Sequence, residues 1–352
     1  MTALHSAQAA PWFTLGSQEG LQARFTSYGL RLTELWVPDA QGERADVVLG
    51  YDDLPAYKQL PDWMMGAIIG RYAHRISPAH VVIDGQAFPL EENLPHQLLH
   101  SGTSGFHRQQ WEVTHCNAVE LRARLSSKAG DSGFPGQLEV SAVYRLEDPM
   151  VLSLSLEAET DAPTPANFTQ HAYFNLAGFG DISDHVFYTP ARHYMPASPS
   201  GVVTGEILDV DGALDFGGPE LLASRLRSEH PELIQNQGFD LFYWLQGHCP
   251  NQAILQASCY HPASGRSLAV YSNRPGFQFF TANKMKDLPG KNHQLYGAYA
   301  GFCVEPQYAP ITMHAADSSM NILRPGERYH QTIIYDFRTA LDPLTEARTF
   351  GT

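Results

Sequence analysis

The stretch Leu152–Glu159, with the sequence LSLSLEAE, alternates apolar and polar residues along its whole length. Successive side chains of an extended chain point to opposite faces of a sheet, so this alternation predicts a half-buried β-strand. Apolar residues also recur at every second position in Leu138–Leu146, and Glu147–Pro149 provides turn residues between the two segments. We therefore predict a β-hairpin here.

Further strands are predicted on both sides of this hairpin. Val81–Phe88 contains Asp84-Gly85 between apolar runs, and this dipeptide supplies the positive φ angles of a tight hairpin turn. Ala257–Tyr260 and Ser267–Tyr271 form a third candidate hairpin, and Gln331–Phe337 predicts a closing strand. Period-two alternation is thus the dominant pattern of the chain.

Helical patterns are few and short, with candidates at Glu220–Arg227 and Pro231–Gln235. The 29 glycines and 24 prolines are spread over the whole length and do not mark a linker between domains. Many short strands without intervening helices imply one sheet packed on another. The sequence predicts an all-β protein, a large antiparallel β-sandwich with few short helices, in a single domain over residues 1–352.

Composition excludes several classes of protein. The formal net charge of -14 argues against a nucleic-acid-binding protein, which would concentrate lysine and arginine on one surface. No apolar run approaches the roughly 20 residues that span a membrane, and the N-terminus lacks the features of a signal peptide. Four scattered cysteines fit a reducing compartment, so we expect a cytoplasmic protein; they are Cys116, Cys249, Cys259 and Cys303.

Two polar residues in apolar surroundings are candidates for acid/base chemistry. His171 lies in Asn167–Gly178 (NFTQHAYFNLAG), and Glu305 lies in Phe302–Gln307 (FCVEPQ). Strand alternation places Glu305 on the face opposite Val304, where a carboxylate needs solvent, a partner or a ligand. Taken separately, each has a structural alternative, because the histidine can be a hydrogen-bonded core residue and the glutamate a surface residue.

Weaker candidates lie elsewhere in the chain. Arg71, His74 and Arg75 share the segment GRYAHRI, and an arginine there can either bind paired oxygens of a ligand or form an internal salt bridge. His100 follows two leucines at a predicted turn. Asp240 and Gln278 each stand among aromatic residues.

In combination these segments resemble the aldose 1-epimerase (galactose mutarotase) family. The matching motifs occur in the family's order from about Gly66 to Gln307: GRYAHRI, LHSG, QHAYFNLAG, GFD, PGFQFFTAN and VEPQ. The resemblance implies the family's twisted β-sandwich, the galactose mutarotase-like supersandwich, with a ligand cleft on one sheet. It also implies a general base at Glu305, a general acid at His171, and sugar-binding groups at His74, Arg75, His100, Asp240 and Gln278.

The implied reaction interconverts the α and β anomers of a free aldose without a metal or organic cofactor. Glu305 would take the proton of the anomeric hydroxyl while His171 protonates the ring oxygen, and rotation about C1–C2 would precede reclosure. The expected partner is thus a small-molecule aldose, with neither nucleic acid nor membrane involved, and the oligomeric state is left open.

Departures from the family pattern leave the preferred sugar open. His74 stands where the family usually has asparagine, Ser101 where it has glycine and Leu241 where a histidine is common, and residues 310–314 also differ. One alternative is a sugar-phosphate mutarotase of the same fold, which would need additional cationic groups in the cleft. Another is a non-catalytic carbohydrate-binding or sensor protein, although pure binding does not require the His171 and Glu305 pair.

Overall fold

Antiparallel strands dominate the structure, a computed structural model that describes residues 12–247, 250–310, 322–339 and 350–351. Cys249, residues 311–314 and the N-terminal segment 1–11, all considered in the sequence analysis, lie outside these ranges.

The largest sheet of the described residues contains the predicted central hairpin. Its strands run, in spatial order, Glu112–Cys116, Glu120–Ser127, Leu138–Asp148, Val151–Thr160, Tyr329–Arg338, Ser267–Ser272, Gln252–Tyr260, Val186–Tyr188 and Glu220–Leu221, and Phe350–Gly351 pairs with Gln252–Tyr260. In the hairpin, Leu146 pairs with Leu152 and Tyr144 with Leu154, and these four side chains face the protein interior or its edge as the alternation predicts. The hairpin prediction is confirmed.

Two smaller sheets pack against the large one. The first consists of Trp12–Gly16, Gln22–Thr26, Arg31–Pro38 and Arg44–Asp46, and the second of Leu208–Asp209, His193–Met195, Asp240–Trp244, Gly276–Phe280 and Cys303–Gln307. Aromatic rings are in contact between the sheets. The ring centroids of Phe25 and Tyr144 are 4.4 Å apart, and those of the stacked Phe187 and Phe279 rings are 4.2 Å apart. One apolar core therefore lies between sheets, and the all-β sandwich prediction is confirmed.

Short strand pairs complete the structure: Thr164–Pro165 with Ile322–Leu323, Thr169–Gln170 with Ile68–Ile69, Arg75–Ile76 with Leu98–Leu99, His80–Ile83 with Gln86–Pro89, and Leu288–Pro289 with Leu295–Tyr296. In the fourth of these, Asp84 and Gly85 have φ values of 51° and 81°. The Asp-Gly turn predicted from the sequence is therefore confirmed.

Helices in the described ranges are short. The α-helices are Leu54–Gln59, Leu222–Leu226 and Pro231–Asn236, and single 3₁₀ turns occur at Gly102–Ser104, Phe106–Arg108, Asp131–Gly133, Gly212–Leu214 and Lys291–His293. The helix predicted from Glu220 begins two residues later, because Glu220–Leu221 pairs as a strand with Val186–Phe187. In the part of the chain that the structure describes, no helix has the length and apolar character needed to cross a bilayer.

Candidate active site

The sheet that ends with Cys303–Gln307 provides the floor of the candidate site. Alternation directs Leu241, Phe277 and Val304 into the core, so the residues between them face the other way. Gln278 pairs directly across strands with Glu305, which places the two side chains side by side on this outer face.

His171 approaches the same face from an extended segment that follows Thr169–Gln170. Its backbone is fixed on both sides, because His171 N–H donates to the Ala67 carbonyl at 2.9 Å and the Gly66 N–H donates to the His171 carbonyl at 2.8 Å. The imidazole also stacks on Tyr173 at 5.0 Å. The ring is therefore held in one orientation before any ligand arrives.

A cleft of about 180 Å³ opens over this floor. It is smaller than the roughly 300–1,000 Å³ typical of sites for drug-sized ligands, which suits a single small molecule. The structure brings together in this cleft every site residue predicted from the sequence: His74, Arg75, His100, His171, Asp240, Gln278 and Glu305.

His171 and Glu305 form a buried pair at the base of the cleft. His171 Nε2 lies 3.6 Å from Glu305 Oε1, and the two residues are 5% and 3% exposed. Burial lowers the pKa of His171 to about 4, against smaller opposing effects of its own backbone and of Asp62. Burial, and then the charge of Asp240, raise the pKa of Glu305 well above its ordinary value. When this pair holds a single proton, burial therefore favours the arrangement with that proton on Glu305, because both residues are then neutral.

His74 and His100 also line the cleft and are hydrogen-bonded to each other. His74 N–H donates to His100 Nδ1 at 3.2 Å, and His100 N–H donates to the His74 carbonyl at 3.1 Å. Because His100 Nδ1 accepts, the ring proton of His100 is on Nε2. Both residues have left-handed backbones, with φ values of 72° and 50°, which non-glycine residues seldom adopt and which occur preferentially at functional sites. Burial lowers the pKa of His74 to about 3 and that of His100 well below its ordinary value, so both rings are neutral.

Several polar atoms in the cleft lack a hydrogen-bond partner among the described residues. Gln278 Nε2 donates to Asp240 Oδ1 at 2.7 Å, but Gln278 Oε1, His74 Nδ1 and Arg75 Nε are buried without a partner. Buried polar atoms are nearly always paired in native proteins. These atoms are therefore suited to the hydroxyl groups of a bound ligand.

Arg71 and Arg75 are close in sequence but have different surroundings. Arg71 is 1% exposed, and its guanidinium donates to the Ser127, Pro135 and Gly136 carbonyls at 2.8 to 3.1 Å. It does not line the cleft. Among the described residues Arg71 therefore neither lines the ligand cleft nor forms a salt bridge, because its hydrogen bonds go to carbonyl and hydroxyl oxygens.

A set of possible metal ligands also occurs at the base of the cleft, since donor atoms of His171, Cys303 and Glu305 all lie within 4.8 Å of one another. Their arrangement does not fit an ion. Cys303 Sγ contacts Nδ1 of His171 at 3.5 Å, whereas Glu305 contacts Nε2, on the other side of the ring. Burial also raises the pKa of the Cys303 thiol well above its ordinary value, and a metal-bound cysteine is a thiolate. The absence of a cofactor stays a prediction.

The sequence analysis did not identify six other residues that line the cleft: Trp63, Met64, Leu99, Tyr173, Phe280 and Lys284. Tyr173 and Phe280 stand two positions after His171 and Gln278, so the same alternation would have placed them on this face. Trp63, Met64 and Lys284 come from loops. No periodic pattern marks them.

Comparison with known proteins confirms the fold and the family resemblance. A model of the aldose 1-epimerase family matches residues 11–336. Galactose mutarotase from Rattus norvegicus is 36% identical over 333 residues, which are 93% of this chain and 94% of that protein. Aldose 1-epimerase from Escherichia coli (strain K12) is 28% identical over 328 residues, which are 92% of this chain and 94% of that protein. The solved structure of an aldose epimerase homologue from C. elegans is similar with a TM-score of 0.85 and 25% identity, covering 94% of this chain and 100% of that chain.

Fold, cleft and relatives together define the class, an isomerase that acts on small sugars. The chain belongs to the aldose 1-epimerase family.

Proposed function

We propose that the protein is a mutarotase that interconverts the α and β anomers of a free aldose by opening and reclosing the sugar ring. The observation that supports this most directly is the buried pair of His171 and Glu305, with Nε2 and Oε1 3.6 Å apart at the base of a small cleft. Ring opening requires one group that gives a proton to the ring oxygen and another that takes one from the anomeric hydroxyl. A histidine and a carboxylate side by side provide both.

The reaction starts from the arrangement in which His171 is protonated and Glu305 is ionised. Because burial favours the arrangement with the proton on Glu305, that proton passes to His171 when the sugar binds. The anomeric hydroxyl then donates to the carboxylate and the ring oxygen accepts from the imidazolium, and both contacts stabilise the charged arrangement. The number of protons on the pair does not change in this step.

Glu305 then removes the anomeric proton while His171 Nε2 protonates the ring oxygen, so the bond from C1 to the ring oxygen breaks and an open aldehyde forms. Rotation about C1–C2 presents the other face of the carbonyl, and the two residues exchange roles to close the opposite anomer. Each proton transfer contributes roughly 10²- to 10⁴-fold to the rate. His74, Arg75, His100, Asp240 and Gln278 bind the sugar hydroxyls and hold the ring during the rotation.

A second candidate substrate is a phosphorylated aldose. One observation favours it, that Lys284 is an exposed lysine lining the same cleft as Arg75. A cation at this position can form a charge-assisted hydrogen bond with a phosphate. Neutralising it by Lys284→Met would weaken binding of a phosphorylated sugar only, whereas Lys286→Met, at an exposed position outside the cleft, is the matched control.

Polarimetry tests the proposal. Freshly dissolved α-galactose, α-glucose and glucose 6-phosphate are followed with and without protein, and the optical rotation of at least one free aldose is expected to reach equilibrium faster with protein. A preference for the phosphate that Lys284→Met abolishes would establish the second candidate. Binding of sugars without any acceleration would instead identify a carbohydrate-binding protein and overturn the proposal.

We further propose one domain over residues 1–352 and a cytoplasmic location. The family match over residues 11–336 supports the first. The cysteines of the described ranges support the second, because Cys116, Cys259 and Cys303 are free thiols, as expected in a reducing compartment.

A further inference from the structure

Cys303 lies beside His171 and has no part in the reaction as proposed above. It belongs to the same strand as Glu305, two positions earlier, so both side chains are on the cleft face of the sheet. Cys303 Sγ lies 3.5 Å from His171 Nδ1, and Glu305 Oε1 lies 3.6 Å from His171 Nε2. A single strand therefore provides a neighbour for each nitrogen of the imidazole.

The proposed reaction sets a requirement for these two nitrogens. Nε2 must give up and regain a proton, so the neutral ring must have its remaining proton on Nδ1. If that proton were on Nε2 in the neutral ring, this nitrogen could not accept one. The contacts of Nδ1 agree with this requirement, because sulfur is a weak acceptor and the ring also hydrogen bonds to the backbone of its own residue. Nδ1 is the ring nitrogen nearest the main chain.

We propose that Cys303 is a positioning residue whose sulfur accepts a hydrogen bond from His171 Nδ1–H and so fixes the tautomer in which a bare Nε2 faces Glu305. This inference rests on the proposed function. A histidine that ligates or transfers protons through one nitrogen is commonly oriented through the other. A carboxylate in this place would also stabilise the imidazolium strongly, whereas a neutral sulfur orients the ring and leaves it able to release its proton.

Apart from the backbone of His171 itself, the other groups described around the imidazole cannot replace this contact. Tyr173 stacks on the ring face and His100 meets it edge to face, so neither accepts from Nδ1. The titratable and charged groups that act on His171 are Glu305, Cys303, His100, His107, Tyr173, Asp62 and Arg31. Of these, Cys303 is the group placed at Nδ1 at hydrogen-bond distance.

Long-range ¹H–¹⁵N spectra of the histidine rings test the inference, with the His171 signals assigned by their loss in His171→Asn. In the wild-type protein at neutral pH we expect the Nδ1–H tautomer at His171. Cys303→Ala should introduce a population of the Nε2–H tautomer and lower kcat for mutarotation about fivefold, the effect of one weak hydrogen bond, with little change in KM. Cys303→Ser, whose hydroxyl can accept the same bond, should restore both.

Cys259→Ala is the matched control, because Cys259 is also a free and buried cysteine but packs in the main core. It should change neither the tautomer nor kcat. An Nε2–H tautomer of His171 in the wild-type protein would overturn the inference whatever the activity. An unchanged tautomer and an unchanged kcat in Cys303→Ala would also overturn it. If Cys303→Ala does not fold, loss of the Nδ1–H tautomer in Cys303→Ser would overturn it instead. A wild-type protein without mutarotation would instead refute the proposed function, and the tautomer would still be measurable.

Discussion

Replacing Glu305 by glutamine is expected to remove most of the activity and at the same time to stabilise the fold at neutral pH. The amide has nearly the shape of the carboxyl group, so the packing of this buried residue beside His171 and Gln278 is preserved. It cannot take a proton from the anomeric hydroxyl. Loss of one proton-transfer group lowers the rate by roughly 10²- to 10⁴-fold. This corresponds to about 3–5 kcal/mol of lost transition-state stabilisation.

The effect on stability has the opposite sign. The pKa of Glu305 in the folded protein is well above the ordinary value of 4.5, because the side chain is buried and lies near Asp240. Between these two pKa values the folded protein holds a proton that the unfolded chain has released, so the stability of the wild-type protein decreases as pH rises through this interval. Glutamine does not titrate. The free energy of unfolding of Glu305→Gln should therefore exceed that of the wild type near pH 7 and decrease less between pH 5 and pH 8.

Polarimetric rates and urea unfolding at pH 5, 6, 7 and 8 measure both effects on the same preparations. Glu112→Gln is the control, since Glu112 is an exposed residue paired with Arg124 and its pKa is lowered by that contact. The control should keep full activity and gain no stability at neutral pH. Near-full turnover in Glu305→Gln would refute the role of Glu305 as the base. A stability that decreases with pH as steeply as in the wild type would refute the raised pKa.

Four further outcomes are expected. His171→Ala should lower the mutarotation rate by a factor similar to that of Glu305→Gln. The pKa of His171 is about 4 in the folded protein and ordinarily 6.5, so the wild-type protein loses stability as pH falls from 6.5 to 4. His171→Ala should lack this part of the loss. The wild-type rate should follow a bell-shaped pH profile, with its acid limb near pH 4 and its alkaline limb at the raised pKa of Glu305. Asp240→Asn should raise KM and move the alkaline limb to lower pH, because it removes a negative charge near Glu305. Initial rates across the pH range measure both effects. Arg71→Met should destabilise the fold by roughly 3 kcal/mol or more in chemical denaturation, because it leaves several buried carbonyls without a donor, while KM of the surviving folded protein stays unchanged.

Strand alternation predicted the parts of the molecule where one face is apolar and the other polar. It identified the hairpin Leu138–Thr160, and it predicted that Glu305 faces away from Val304 and the core. The same rule places Cys303 on the cleft face, although the sequence analysis assigned it no role. Loops do not follow this rule, so Lys284 was not predicted to line the cleft.

Residues with similar neighbours in the sequence can have different contacts in the folded protein, and only the tertiary structure determines these contacts. Arg71 and Arg75 are four positions apart in one motif, yet the first donates to carbonyls that are distant in sequence and the second lines the cleft. The helix Leu54–Gln59 was not predicted because it is too short for a periodic apolar pattern. Its N-cap signal was present in the sequence, since the Asp53 side chain accepts from Ala56 N–H at 2.8 Å and Pro55 occupies the first turn.

The central claim is that the protein opens and recloses a sugar ring by moving protons between oxygens through His171 and Glu305. It is tested most directly by NMR of an aldose at anomeric equilibrium in D₂O, with exchange between the two anomeric C1–H signals measured with and without protein. We expect the wild-type protein to accelerate this exchange while both signals keep full intensity, because no carbon-bound hydrogen is removed. Exchange no faster than without protein, or deuterium appearing at C1 or C2, would contradict the account.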